Sequence, residues 1–263
     1  FGNADNERST LWTNQNWLKS RFHFSFAEYN NPKNDHFGVL RVMNDDLVQP
    51  DRGFGAHPHR DMEIVTYIVE GELTHQDSMS RGEAQNLPRG SVQFMTAGTG
   101  IRHSEHNLSK ERPLRFVQVW VTPNARGHQP RYGGFDGSKP DALAARKNAL
   151  AHIVGDASTG ECSAPVGIMQ DCNFYCSELE EGRSVEFSLG ARRQAYVLCI
   201  EGALDVQARG QQVATLARHD AAELRAEQSG DVSVVFTCSS GTAMAHLLLI
   251  EMAHSTSGGR RDL

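Results

Sequence analysis

Two short motifs carry the residues best suited to chemistry, His57-Pro58-His59 and His103-Ser104-Glu105. In an extended strand successive side chains alternate faces, so positions two apart point the same way. Each motif therefore sets two metal-binding side chains on one face of one strand. Together they offer three imidazoles and one carboxylate. That set can hold a divalent cation and leave coordination positions open for a reactant. It suits iron, manganese, nickel, cobalt, copper or zinc. A structural zinc site would be closed, four-coordinate and usually thiolate-rich, which this set is not. A barrel held by sheet hydrogen bonds does not need a metal to fold, so the expected use is reactive or sensory.

The elements that must position these residues read as strands. Apolar runs are short and often alternate: 22–26, 38–42, 64–69, 92–95 and 116–121. Turn signals such as Asn30-Asn31-Pro32, Glu70-Gly71-Glu72 and Leu87-Pro88-Arg89-Gly90 separate them. Many short strands at such spacing predict an all-β sandwich or barrel. One helix is expected over Pro140 to Leu150, with Ser138 or Asp141 as its cap. The polar, Gly-rich stretch before it makes 124–155 the expected connection between domains. A second β-rich segment follows and echoes the first, with Val69-Glu70-Gly71 matching Ile200-Glu201-Gly202. Laid on that turn, Ser188 and Gly190 fall opposite His57 and His59, and Val232 and Val234 opposite His103 and Glu105. The expected organisation is a metal-binding domain over 1–123, the connection, a domain without ligands over 156–252, and a tail over 253–263. His219 and His246 remain as isolated histidines of the second domain.

Composition narrows the class. The chain has 263 residues, 39% hydrophobic and 22% charged, with a net charge of −6. That predicts a packed core, and no Lys/Arg block points to direct nucleic-acid binding. No apolar run reaches the roughly 18 residues of a membrane span. The five cysteines, Cys162, Cys172, Cys176, Cys199 and Cys238, are odd in number and lack a C-x-x-C pair. They fit a reduced compartment, the cytoplasm or a eukaryotic nucleus, better than a disulfide framework. The start at Phe1 reads as a trimmed or processed terminus.

The residues around the two motifs add a resemblance. Gly53 and Gly55 precede the first pair, Gly71 closes the following strand, Pro88 and Gly90 precede the second pair, and Asn107 follows it. This order resembles the two cupin motifs, with an H-x-E in place of the usual lone histidine and a longer spacing after Gly90. The stretches His57-Pro58-His59-Arg60, Tyr67-Ile68-Val69-Glu70-Gly71, Met95-Thr96-Ala97-Gly98-Thr99-Gly100-Ile101, His103-Ser104-Glu105 and Gln118-Val119-Trp120-Val121 are similar to the pirin family, as is Arg21 to Phe26. The specific match covers 17–123, and the second half is similar in layout only.

The resemblance implies two tandem cupin domains, each a jelly-roll β-barrel, with one divalent metal, Fe(II), in the first. It implies His57, His59, His103 and Glu105 as ligands. It further implies quercetin (flavonol) 2,3-dioxygenase activity on a flat aromatic substrate and O2, with Glu105 also the general base. The rival it implies is an iron-dependent, redox-sensing module that binds a protein partner as a transcription cofactor. Neither needs direct nucleic-acid or membrane contact. Glu63 shares the parity of His57 and His59 and competes for the ligand role, although a supporting or structural role is the preferred reading. His106 has the opposite parity to His103, and His75 is expected to be solvated. Met95, Phe116 and Trp120 are candidates for an apolar wall.

Overall fold

The computed structural model describes residues 17–78, 84–226 and 230–254. The expected tail therefore lies almost wholly outside the described residues. The strands form two compact units, one of residues up to 143 with 156–170, the other of 144–155 and residues from 171 onward.

The first unit contains β1 (Leu18–Phe22), β2 (Leu40–Val48), β3 (Arg52–His59), β4 (Glu63–Glu70), β5 (Glu72–Asp77), β6 (Gln85–Pro88), β7 (Val92–Thr96), β8 (Ile101–Asn107), β9 (Leu114–Val121) and β10 (Arg131–Phe135). They make an antiparallel six-stranded sheet in the order β1-β2-β9-β4-β7-β10 and a four-stranded sheet in the order β3-β8-β5-β6. Val48, Ile68 and Phe116 of the larger sheet pack with Leu73 and Leu87 of the smaller one, with Phe54 against them. The alternating pattern of the strands thus becomes a core between two sheets.

A helix α1 (Pro140–Arg146) and two short strands, β11 (Ala151–Asp156) and β12 (Val166–Ile168), come next. The second unit continues with β13 (Cys172–Glu180), β14 (Ser184–Leu189), β15 (Arg193–Glu201), β16 (Ala203–Ala208), β17 (Gln211–Ala217), β18 (Ala221–Arg225), β19 (Val232–Cys238) and β20 (Met244–Ala253). Its orders β11-β13-β20-β15-β18 and β14-β19-β16-β17 repeat β1-β2-β9-β4-β7 and β3-β8-β5-β6 strand for strand. The echo seen in the sequence is therefore a structural repeat of two jelly-roll barrels. Both Glu-Gly turns need their glycine. Gly71 has φ 80° and Gly202 φ 74°, and a Cβ there would lie 2.6 Å from the Pro113 carbonyl or 2.2 Å from that of Met244.

Two sequence expectations shift at the edges. The run 22–26 is not one strand: β1 ends at Phe22, and the chain turns where Ala27 takes φ 47°. The helix stops at Arg146 rather than Leu150 because Asn148 takes φ 53° and its side chain bonds the backbone N–H and the carboxylate of Glu180. Within residues 124–155, the expected connection, β10 pairs with β7 and β11 with β13. None of the five cysteines forms a disulfide, and four are buried. Among the described residues no helix is long and apolar enough to cross a membrane.

Candidate metal centre

The histidines meet because β3 lies against β8. Their register sets His57 directly opposite His103, after an irregularity between Phe54 and His57 that re-aims the strand. Gly53 permits the approach: a Cβ there would sit 2.2 Å from the Glu105 carbonyl and 2.6 Å from His106 Cα. The alternation of β8 buries His103 and Glu105 and leaves His106 on the other face, as parity predicts.

Three ring nitrogens converge. His57 Nε2 is 2.9 Å and His59 Nε2 3.0 Å from His103 Nε2. Donor atoms of His57, His59 and His103 all lie within 4.8 Å of one another, a group able to hold a metal ion. His57 Nδ1 lies 2.8 Å from the Gly55 carbonyl and donates to it, which directs Nε2 toward the other rings. Burial, then His103 and His57, push the pKa of His59 down to about 3, so that ring is neutral near pH 7. Three ring nitrogens brought this close together are the donor type a divalent metal takes. The donor set thus fits a metal ion.

Glu105 is buried on the same face of β8 but is not part of that histidine group. Its carboxylate accepts from Gln118 Nε2 at 2.9 and 3.2 Å and from the Thr66 hydroxyl at 3.3 Å. The indole N–H of Trp120 donates to Gln118 Oε1 at 3.2 Å and fixes that amide. His103 is anchored from behind: its Nδ1 lies 2.9 Å from His75 Nε2, and His75 stacks on Tyr132 at 4.7 Å.

His75 is therefore wholly buried rather than solvated, a residue the sequence reading missed. β5 pairs with β8 and sets His75 opposite Glu105, a register no local pattern reveals. His75→Phe keeps a ring on Tyr132 and removes the hydrogen bond. Metal affinity should fall about 10–100-fold, checked by competition with a chromogenic chelator.

Glu63 belongs elsewhere. β3 ends at His59, the chain turns at Asp61 with φ 47°, and Glu63 begins β4 in the other sheet. Parity carried across that turn does not apply. Its carboxyl accepts from Thr96 at 2.8 Å and from the Met169 backbone N–H, while Oε1 is buried without a partner. Burial pushes its pKa from 4.5 up to about 7. The folded state then binds this proton more tightly than the unfolded chain. The stabilisation is complete below about pH 4.5 and is lost as pH rises through about 7. Glu63→Gln should remove about 3 kcal/mol of that pH dependence, read from urea denaturation between pH 5 and 8.

A cavity of about 300 Å³ opens on the cluster, with Phe22, Phe26, Phe54 and Trp120 as aromatic walls. His57, His59 and Glu105 line it too. Of the expected apolar wall, Trp120 lies there, edge-on to His59 at 5.0 Å. Met95 and Phe116 belong to core clusters instead. Phe54 was missed because the sequence reads there as turn.

Among its described residues the second unit has no such set. Leu189 of β14 and Val234 and Phe236 of β19 lie in its apolar core. His246 pairs with Glu201 at 3.2 Å, and His219 occupies a turn with φ 75°. Among the described residues, the three histidines of the first unit are the one donor group.

A tandem pair of cupin barrels, with three converging imidazoles in the first and an apolar core in the second, defines the class. Residues 4–121 match the Pirin family model and 157–252 the quercetinase C-terminal cupin domain. The chain belongs to the pirin family. It is 38% identical over 189 residues to a quercetin 2,3-dioxygenase of Escherichia coli K12, covering 72% of this chain and 77% of that one. It is also 38% identical over 190 residues to a pirin-like protein of Caulobacter vibrioides, covering 72% and 78%. The crystal structure of the bacterial pirin YhhW from Escherichia coli in complex with nickel(II) matches with a TM-score of 0.75 and 30% identity, over 92% of this chain and 95% of that one.

Proposed function

We propose that this protein is a metal-dependent flavonol 2,3-dioxygenase, with His57, His59, His103 and Glu105 as the ligand set and Glu105 as general base. The observation that carries the reading is the convergence of three Nε2 atoms, with Glu105 beside them, on an aromatic-walled cavity. The kinship with a named quercetin 2,3-dioxygenase supports it. A divalent ion, Fe(II) by family resemblance, would supply Lewis acidity toward the substrate's 3-hydroxyl oxygen.

The chain's own residues do the rest. His57, His59 and His103 would hold the ion, with His57 oriented by the Gly55 carbonyl and His103 by His75. Gln118 and Thr66 aim the Glu105 carboxylate into the cavity, where it takes the 3-hydroxyl proton. The aromatic walls clamp the flat rings and exclude water. The flavonolate, electron-rich once deprotonated, reacts with O2, the heterocycle opens and carbon monoxide leaves. A cavity of about 300 Å³ lies within the range of small-molecule sites and favours this reading over a redox-sensing module, which needs no pocket.

Anaerobic titration of quercetin into metal-loaded protein tests it. Binding should shift the flavonol absorption to longer wavelength, the mark of the 3-hydroxyl anion, at one equivalent per chain. Absence of any shift would favour the module that binds a protein partner.

A further inference from the structure

The cavity has a polar side that the proposed chemistry does not use. Strand β2 carries three buried polar residues in a row, Asn44, Asp45 and Asp46. Such a run in an inner strand needs a reason for each member. Asp45 has one: it points away from the cavity and makes a two-pronged ion pair with buried Arg115, at 2.8 and 2.7 Å. Asn44 and Asp46, on the opposite face, line the cavity together with Ser20 of β1.

Register places them. Ser20 lies opposite Asp46 and donates its hydroxyl to that carboxyl. Asn44 lies opposite Gln118, the residue that holds Glu105. Asn44 is 3% exposed, and its Oδ1 has no hydrogen-bond partner. A buried acceptor left unpaired is costly, and turning the amide over, which keeps its packing, brings the oxygen to the cavity face. Asp46 is 4% exposed, and burial pushes its carboxyl up to about 7. Around neutral pH a protonated fraction offers an O–H as well as acceptor oxygen. The surface is thus a hydroxyl-sized donor–acceptor ledge set among aromatic walls.

We infer that Asn44, Asp46 and Ser20 form a subsite that reads a second phenolic hydroxyl of the substrate, distinct from the one handed to Glu105. This rests on the flavonol reading above and narrows it to polyhydroxylated flavonols. With its amide turned to bring the oxygen to the cavity, Asn44 accepts the phenolic O–H, and Asp46, braced by Ser20, completes the contact.

The test compares quercetin with 3-hydroxyflavone, which keeps only the 3-hydroxyl, on the metal-loaded protein. Dissociation constants come from anaerobic quenching of tryptophan fluorescence, and kcat/KM from aerobic turnover. Quercetin should bind at least about tenfold more tightly than 3-hydroxyflavone. Galangin, without pendant-ring hydroxyls, then shows which ring the ledge reads. In Asn44→Leu and Asp46→Leu, which keep the branching and heavy-atom count of the native side chain, the ratio should collapse toward one. A wild-type ratio near one, which no folding defect can produce, overturns the inference while leaving the flavonol reading standing. So does a ratio unchanged in both variants. Binding of none of the three compounds overturns the flavonol reading and this subsite with it.

Discussion

His103→Ala should strip the protein of its metal and lower flavonol turnover at least about a thousandfold. His103 is the shared member of the cluster, 2.9 Å from one partner Nε2 and 3.0 Å from the other. Its far nitrogen is bonded to His75, which holds the ring in its place in the cluster. Two imidazoles on one strand would remain, with Glu105 turned to Gln118. A metal acting as Lewis acid contributes several kcal/mol at the transition state, and about 4 kcal/mol corresponds to the predicted factor. The fold should survive, because β3 and β8 are tied by backbone bonds from Arg52↔Asn107 to His59↔Ile101. Metal analysis by mass spectrometry, with a thermal melt on the same sample, separates loss of the ion from loss of the fold. Full metal content in the variant would remove His103 as a ligand.

Glu105→Gln should leave most of the metal in place and reduce kcat about 10²–10⁴-fold, the usual contribution of a positioned base. The substitution keeps shape and burial but cannot take a proton. The three histidines do not depend on the carboxylate for their geometry, since they are oriented by Gly55, by His75 and by one another. Gln118 and Thr66 still find an acceptor in the amide oxygen of the new side chain. Stability should therefore change little, by about 1 kcal/mol or less. The readout is kcat at saturating quercetin, normalised to bound metal. Undiminished kcat would show that the proton goes elsewhere. Loss of metal together with activity would make Glu105 a ligand without establishing it as the base.

Much of this centre was legible in the sequence because its information is local. Strand alternation puts His57 with His59, and His103 with Glu105, whatever the rest of the chain does. The turn glycines mark where those strands end, and the Glu-Gly echo identifies the second barrel and its lack of ligands. Information carried by pairing between strands was not legible. His75 reads as a polar residue after a turn until β5 is laid beside β8. Asn44 and Asp46, just past the apolar run 38–42, draw no notice until β2 is set between β1 and β9. Glu63 entered as a competing ligand only because parity was carried through Asp61, where the chain leaves one sheet for the other. In each case the missing quantity was a register.

The measurement that bears most directly on the account is aerobic quercetin turnover with simultaneous detection of carbon monoxide. Protein reconstituted separately with iron, manganese, nickel, cobalt, copper and zinc would be compared with His103→Ala. The account predicts that quercetin loss, O2 uptake and carbon monoxide release occur in equal amounts with at least one redox-active metal, and are absent in the variant. A wild-type protein that holds its metal yet releases no carbon monoxide with any of the six would contradict it.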